Sequence, residues 1–396
     1  MPNQFTSSVY GDLETYFLTD YALLDQYIGD TLWSWGTNTS GQLGDNTIVN
    51  RSTPVTTLLG GTNWKSIAGG AFHTVALKTD GTLWSWGYNS EGLLGTNDTR
   101  TRSTPVTTLL GGTNWKSIAC GRLHTIAIKT DGTLWSWGYN FYGNLGDNTR
   151  TYRSTPVTTL LGGTNWKSIA SQRYHTVALK TDGTLWSWGY NQFGQLGNFS
   201  SGSTASRSTP VTTLLGGNNW KSIASGYAYT VALKTDGTLW TWGENFNGQL
   251  GVNDTTTRST PVTTLLGGTN WKSIAGGYNH TVAIKTDGTL WCWGFNGYGN
   301  LGVNDTTTRN TPVTTLLGGT NWKSIACGDK GHTIAIKTDG SLWSWGRNFE
   351  GQLGVNNTTS RSTPVTTLLG GTNWKSIAGG GFHTIALTAG QSVDFS

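Results

Sequence analysis

The sequence predicts an all-β protein, a seven-bladed β-propeller made of four-stranded blades. Two repeated markers carry this prediction. Leu-Trp-x-Trp-Gly occurs seven times at spacings of 51 to 54 residues, and Asn-Trp-Lys-Ser-Ile-Ala also occurs seven times. A unit of this length cannot bury its own apolar face, so it must stack on its neighbours. The repeat covers residues 31–388, between an N-terminal segment, residues 1–30, and a C-terminal tail, residues 389–396.

Each unit is expected to contain four short strands. In the first complete unit these are Asn63–Ala68, Thr74–Lys78, Thr82–Gly87 and Pro105–Leu110, with a tight Asp80–Gly81 turn between the second and third. A proline precedes or opens every fourth strand. Because proline cannot donate to a sheet ladder, this strand is expected at the outer edge of its blade. The first strand ends in small residues, which suits the crowded centre of a propeller.

The two ends of the chain each contribute half a blade. Residues 32–59 supply third and fourth strands, and residues 373–387 supply first and second strands. Together they are predicted to complete the seventh blade, which would leave no free edge between blades.

The N-terminal segment differs from the repeat because it contains five acidic residues and no lysine or arginine. Thr19 or Asp20 is a candidate cap for a short helix that ends near Ile28. This acidic, aromatic segment is expected either to pack on the propeller or to anchor the protein in a parent assembly, and the sequence leaves both open. It has no signal-peptide pattern, and no apolar run is long enough for membrane insertion.

The net charge of +5 is spread over the units and does not form one basic patch. We interpret these basic residues as a solvated surface and do not expect a nucleic-acid partner. The three cysteines form no CxxC pair and stand where other units have glycine or serine. They are expected to be free thiols that pack as small residues.

The six histidines share one repeat position, which Tyr229 occupies in the remaining unit. A propeller would keep these side chains apart, so we predict a hydrogen bond that stabilises the blades and no metal site. All 21 tryptophans belong to the two markers. We expect them to pack between adjacent blades. No catalytic motif occurs, so the chain is predicted to be non-enzymatic and to need no cofactor.

The unit resembles the regulator-of-chromosome-condensation repeat, a seven-bladed propeller family. The residues that carry the resemblance in the first unit are Trp35-Gly36, Asn38, Gly41, Leu43-Gly44, Pro54, Ile67-Ala68, Gly70 and His73-Thr74. The Gly-Gly doublets are also similar to those of kelch blades, which are propellers as well. Units as alike as these are typical of recently duplicated bacterial or viral repeat proteins, and we expect the chain to be of that type.

The resemblance implies three functions. An exchange factor for a Ran-type GTPase uses a wedge inserted in one blade, but the only sizeable insertion here is three residues within Gly197–Arg207. Ultraviolet-B photoreception uses a Gly-Trp-Arg-His-Thr motif, which would fall on Gly70–Thr74, and no unit has tryptophan there. A protein-binding propeller requires only a suitable loop face.

The units differ from one another mainly in the loop between the first and second strands and in the loop after Trp-Gly. Both loops are expected on one face, whereas the two invariant loops lie on the other. The varied loops are rich in aromatic residues, as binding surfaces are, although unselected drift in loops is the alternative. The candidate partner-binding residues are Phe72, Tyr88, Arg122, Tyr139, Tyr142, Arg173, Tyr174, Tyr190, Phe193, Tyr227, Phe246, Tyr278, Phe295, Tyr298, Arg347 and Phe349.

We therefore expect a binding or structural module that contacts a protein or a surface glycan through this face. The hypothesis is a virion or cell-surface structural or adhesion protein. The alternative is an intracellular interaction scaffold or a guanine-nucleotide exchange factor for a small GTPase.

Overall fold

The computed structural model describes residues 30–390, which form 28 strands in seven antiparallel sheets of four. This confirms the seven-bladed β-propeller. No helix occurs among residues 30–390, and so none there is long and apolar enough to cross a membrane. The helix predicted between residues 19 and 28 lies outside the described residues.

Six blades are formed by consecutive strands, written here from the inner to the outer edge. Blade 1 contains β3 (Trp64–Gly69), β4 (His73–Lys78), β5 (Leu83–Gly87) and β6 (Arg102–Thr107). Blade 2 contains β7 (Trp115–Cys120), β8 (His124–Lys129), β9 (Leu134–Gly138) and β10 (Arg153–Thr158). Blade 3 contains β11 (Trp166–Ser171), β12 (His175–Lys180), β13 (Leu185–Gly189) and β14 (Arg207–Thr212). Blade 4 contains β15 (Trp220–Ser225), β16 (Tyr229–Lys234), β17 (Leu239–Gly243) and β18 (Arg258–Thr263).

The remaining blades follow the same order. Blade 5 contains β19 (Trp271–Gly276), β20 (His280–Lys285), β21 (Leu290–Gly294) and β22 (Arg309–Thr314). Blade 6 contains β23 (Trp322–Cys327), β24 (His332–Lys337), β25 (Leu342–Gly346) and β26 (Arg361–Thr366). Blade 7 contains β27 (Trp374–Gly379), β28 (His383–Thr388), β1 (Thr31–Gly36) and β2 (Arg51–Thr56).

Blade 7 is closed by the two ends of the described chain. Strand β1 pairs with β28 in a continuous antiparallel register, from Thr31 opposite Thr388 to Gly36 opposite His383. The predicted closure by two N-terminal and two C-terminal strands is therefore confirmed.

The fourth strand of each blade is outermost, as the prolines predicted, but its expected start was wrong. Strand β2 begins at Arg51, three residues before Pro54. Gly36 pairs with Arg51 and Ser34 pairs with Val55, and the register shifts between them. Pro54 lies inside this irregular stretch, where a residue without an N–H group costs the ladder nothing.

The apolar core lies between blades, where the predicted packing of the tryptophans is confirmed. Between blades 7 and 1, Leu32, Ile385 and Leu387 pack with Trp64 and Trp86. The same type of buried cluster recurs at the other blade boundaries. The three cysteines are buried free thiols, as expected.

The histidines link neighbouring blades through hydrogen bonds, which confirms their predicted structural role. In each pair, Nε2 of the histidine lies 2.9–3.3 Å from Oγ1 of a threonine in the next blade. The pairs are His73–Thr125, His124–Thr176, His175–Thr230, His280–Thr333, His332–Thr384 and His383–Thr74. At the seventh boundary the Tyr229 hydroxyl replaces the imidazole and donates to the backbone carbonyl of His280.

Candidate functional site

The antiparallel blades place the loops of each unit on two faces. Loops from the first to the second strand and from the third to the fourth strand emerge together, and we call this surface the varied face. The other two types of loop, such as residues 57–63 and 79–82, form the opposite surface, the uniform face. The sixteen candidate partner-binding residues all belong to loops of the varied face.

A buried asparagine holds each long loop of the varied face in shape. In the first unit, the side-chain oxygen of Asn38 accepts a hydrogen bond of 2.9 Å from the backbone N–H of Leu43. The equivalent bond has the same length in all seven units. This repeated hydrogen bond fixes the backbone of the loop, so the aromatic side chains project from an ordered backbone.

Seven aromatic rings from blades 2, 3 and 4 form an unbroken series across the varied face, which we call the aromatic arc. Successive ring centroids are 4.7–6.3 Å apart, within the range for favourable ring contacts. In order, the rings are Tyr152, Tyr139, Tyr174, Tyr142, Tyr190, Phe193 and Phe246. The arc joins three blades into one amphipathic surface.

A second group of rings extends from blade 5 to blade 1. Tyr298 contacts both Phe295 and Phe349, at 5.7 and 5.6 Å between centroids. The Arg347 guanidinium lies 4.7 Å from the Phe349 centroid and 5.2 Å from that of Phe382. Phe382 in turn contacts Phe72, which contacts Tyr88. Arginine–aromatic stacking therefore continues the surface around the ring of blades.

A cluster of charged and aromatic residues lies nearer the axis. The Arg173 guanidinium is 3.9 Å from the Tyr227 ring centroid, and Tyr227 packs on Tyr278 at 4.6 Å. The Lys330 ammonium lies 5.0 Å from the Tyr278 centroid. These contacts place two cations against two phenol rings beside the axial opening.

Asp329 lies at this opening and lines an axial cavity of about 90 Å³ together with Cys120 and Cys327. It is buried, and neither carboxylate oxygen accepts a hydrogen bond from a described residue. Burial raises the pKa of Asp329 to about 6, although Lys330, Arg122 and Arg173 act in the opposite direction. An acid with this pKa changes its charge close to neutral pH.

Burial also raises the pKa of three tyrosines in this region, Tyr174, Tyr190 and Tyr227. The nearby Arg173 charge opposes that effect at each of them. Their phenols therefore stay protonated at neutral pH. They offer a partner hydroxyl donors beside an apolar ring, the combination that protein interfaces favour.

Two recesses lie among the candidate residues. One, of about 290 Å³, is lined by Phe72, Tyr88, Arg122 and Tyr174 among others. The other, of about 380 Å³, lies between Tyr298 and Phe349 and includes residues of two blades. Both are large enough to receive a partner side chain. No group of three His, Cys, Asp or Glu side chains suited to a metal ion occurs in the part of the chain that the structure describes.

The candidate set omitted five residues that the structure places on this surface or at its axis. They are Phe141, Tyr152, Asp329, Lys330 and Phe382. Two of them have a signal in the spacing of the units. They are Asp329 and Lys330, whose loop, residues 328–331, is one residue longer than the corresponding loop of the first unit, residues 70–72.

Comparison with protein families gives a match over nearly the whole described chain. The model of the regulator of chromosome condensation (RCC1) repeat matches residues 30–77, 80–128, 131–179, 182–233, 236–284, 287–336 and 339–387. The ultraviolet-B receptor UVR8 of Arabidopsis thaliana is 33% identical over 343 residues, covering 85% of this chain and 77% of that protein.

A second relative is much longer than this chain. The human E3 ubiquitin-protein ligase HERC2 is 31% identical over 369 residues, which are 90% of this chain but only 8% of HERC2. These relatives are eukaryotic, so the expected bacterial or viral type finds no specific support in them.

Solved structures show the same fold. Human WBSCR16 superposes with a TM-score of 0.79 at 22% identity, covering 92% of this chain and 100% of that one. Prp20p of Saccharomyces cerevisiae gives a TM-score of 0.77 at 22% identity, with 94% and 95% covered.

Proposed function

Because the chain belongs to the RCC1 repeat family, we propose that it is a non-enzymatic protein-binding propeller whose varied face receives the partner. The observation that carries this proposal is the aromatic arc. Seven adjoining rings from three blades, among them Phe246 and Tyr152 with exposed side chains, offer apolar contact area at little cost in side-chain entropy.

The charges of the face favour a partner with acidic groups beside apolar side chains. Arg122, Arg173, Lys330 and Arg347 lie among the rings, whereas two acids that interact with them, Asp329 and Glu244, are buried. Glu350 pairs with Arg347 at 2.8 Å. Cations on rings hold their positions before binding, which reduces the entropy lost when a partner docks.

Solved relatives support protein binding as the general role. One solved structure is of Kap60 bound to yeast RCC1 (Prp20), and another was reported with the binding properties of Prp20p to Gsp1p and histones. We place this chain with intracellular interaction scaffolds. The relatives compared give no support to a virion or cell-surface role, and that hypothesis stays untested.

An exchange-factor role is the second candidate, since the solved structure of Prp20p was reported with its binding properties to Gsp1p. A nucleotide-release assay with a Ran-type GTPase separates it from a binding module. Accelerated release of bound nucleotide by the full chain would favour exchange activity, and an unchanged rate would favour the scaffold.

The proposed site is tested by affinity capture with the full chain. Wild type is compared with Tyr142→Ala and Phe246→Ala on the varied face, and with Asp131→Ala on the uniform face as the control. A partner retained by wild type and by Asp131→Ala, but lost with the aromatic variants, supports the proposal. A partner lost only with Asp131→Ala would overturn it.

A further inference from the structure

The uniform face carries an exposed pair of leucines in every unit. In the first unit Thr57 accepts a hydrogen bond of 3.0 Å from the N–H of Gly60, which places Leu58 and Leu59 at the centre of a β-turn. The first leucine of each pair is 57–61% exposed and the second is 40–47% exposed. Single exposed leucines are ordinary on protein surfaces, but fourteen on one face indicate an interaction surface.

A ring of lysines accompanies the leucines. Lys65 and its six equivalents are exposed at the start of the innermost strand of each blade. Blade 1 has a second lysine, Lys78, just before the turn that contains Asp80. This lysine and this aspartate both occur in each of blades 1 to 6. The described residues of this face include thirteen lysines and seven aspartates, one of which is Asp30, the partner of Lys375. Their net charge is +6.

We propose that the uniform face docks on an anionic lipid surface, with the leucine turns entering the headgroup region and the lysines facing acidic headgroups. A bilayer presents the same chemistry to all seven blades, so it matches a ring of seven equal contacts. Apolar side chains that enter the interface, together with basic residues that attract anionic lipid, are the two elements of peripheral membrane binding. The proposed association is peripheral.

Two other occupants fit less well. A second copy of the chain that bound through its own uniform face would bring two faces of charge +6 together. Residues 1–29 have four acidic residues and no basic ones, so they are a competing occupant. The residue that follows them, Asp30, pairs with Lys375 in blade 7, whereas the leucine pairs extend around all seven blades.

The test is sedimentation of the full chain with vesicles of phosphatidylcholine, with and without phosphatidylserine. We expect binding to the anionic vesicles that weakens as salt is raised. Changing the first leucine of every pair to serine (Leu58→Ser and its six equivalents) should weaken binding at least about tenfold, because each turn loses apolar area. The control variant changes Phe141, Phe246 and Phe349, equally exposed on the varied face, to serine and should bind as wild type does.

The tryptophan near-ultraviolet dichroism of each variant shows whether it is folded. No sedimentation of wild type with anionic vesicles at low salt would overturn the proposal, as would binding that the serine variant retains. Zero-length cross-links from the acids of residues 1–29 to the lysine ring, in protein that does not bind vesicles, would assign the face to that segment. Dimers lost in the serine variant, without vesicle binding, would assign it to a second copy. Because this test uses the opposite face, its outcome is independent of the proposed protein-binding function.

Discussion

The imidazole of His73 donates from Nε2 to Oγ1 of Thr125 across the boundary between blades 1 and 2, at 3.0 Å. The direction follows from the threonine, because its hydroxyl already donates to the backbone carbonyl of Leu93 at 2.9 Å. The Thr125 oxygen is therefore the acceptor for His73, which carries a proton on Nε2. Because burial lowers the pKa of His73 to about 3, the imidazole is neutral at pH 7. Nδ1 has no partner among the described residues. Each blade boundary that has a histidine depends on a neutral imidazole.

The first prediction is a steep loss of stability in acid. Burial lowers the pKa of His73 from 6.5 to about 3, with a smaller contribution from His383, and the other five buried histidines are lowered to about 3 or 4. A lowered folded-state pKa means that the stabilisation is complete above pH 6.5 and is lost as pH falls toward 3. By linkage, the expected loss is about 3 kcal/mol for His280 and about 5 kcal/mol for each of the other five histidines. Denaturant unfolding at a series of pH values measures it.

Tyr229 provides a matched variant for this prediction, because it fills the histidine position without titrating in acid. Its hydroxyl donates to the backbone carbonyl of His280 in the next blade and accepts from the backbone N–H of Gly277. We expect His280→Tyr to fold and to take up about one proton fewer on unfolding in acid. His280→Ala, which leaves a cavity, should lower stability at pH 7 as well. Equal proton uptake by wild type and His280→Tyr would contradict this account.

Asp329 predicts a pH dependence of opposite sign. Its pKa is raised from 3.8 to about 6 by burial, so its contribution is complete below pH 3.8 and is lost as pH rises through 6. The loss is about 3 kcal/mol by linkage. Asp329→Asn keeps the shape and removes the titration. The free energy of unfolding of the variant, relative to wild type, should therefore rise between pH 4 and pH 7, as denaturant unfolding measures. Parallel curves for the two proteins would show that Asp329 is not buried as described.

These relationships show where sequence reasoning succeeds. The number of blades, the order of strands and the closure of blade 7 follow from repeated residues such as Trp64 and Pro54, whose chemistry restricts them to one place in a blade. The predicted start of the fourth strand was wrong because the outer strand pairs irregularly around Pro54. A proline marks which edge is free of hydrogen bonds more reliably than it marks where a strand begins.

Side-chain environments on the two faces were less accessible to prediction. Asp329 is acidic and would ordinarily be placed in solvent, but its longer loop turns it into the axial cavity. Leu58 would ordinarily be placed in a core, but its position at the centre of a turn exposes it. In both cases backbone geometry outweighs the preference of the side chain, and a single sequence does not reveal that geometry.

The closing blade predicts a stabilising substitution. In blade 1, Lys78 Nζ lies 5.0 Å from the ring centroid of Trp64 and 4.9 Å from that of Trp84. The same stack occurs in the five following blades, but blade 7 has Thr388 at this position. We expect Thr388→Lys to raise the free energy of unfolding by about 0.5–1 kcal/mol.

The comparison variant for this prediction is Thr388→Met, which provides an apolar stem without the charge. Thermal unfolding of both variants isolates the contribution of the cation. In wild type Trp33 donates a hydrogen bond to Thr388, which both substitutions remove. Thr31 is available to accept this bond, because it occupies the position of Thr82, which accepts from the equivalent tryptophan, Trp84, in blade 1. A methionine variant as stable as the lysine variant would contradict the cation–π explanation.

The last prediction concerns partner affinity on the varied face. Tyr142 contacts Tyr174 and Tyr190, at 5.2 and 4.7 Å, and so occupies the middle of the aromatic arc. We expect Tyr142→Ala to weaken the binding of the captured partner by about 1–4 kcal/mol, because a few central aromatic residues carry most of the affinity of a binding surface. Asp131→Ala should instead lower stability, since its carboxylate accepts from the N–H and hydroxyl of Thr133. That variant should leave affinity unchanged, because the turn lies on the uniform face. Calorimetric titration of each folded variant with the partner decides between them. If Tyr142→Ala binds as tightly as wild type while Asp131→Ala binds more weakly, the varied loops reflect drift and the partner site lies elsewhere.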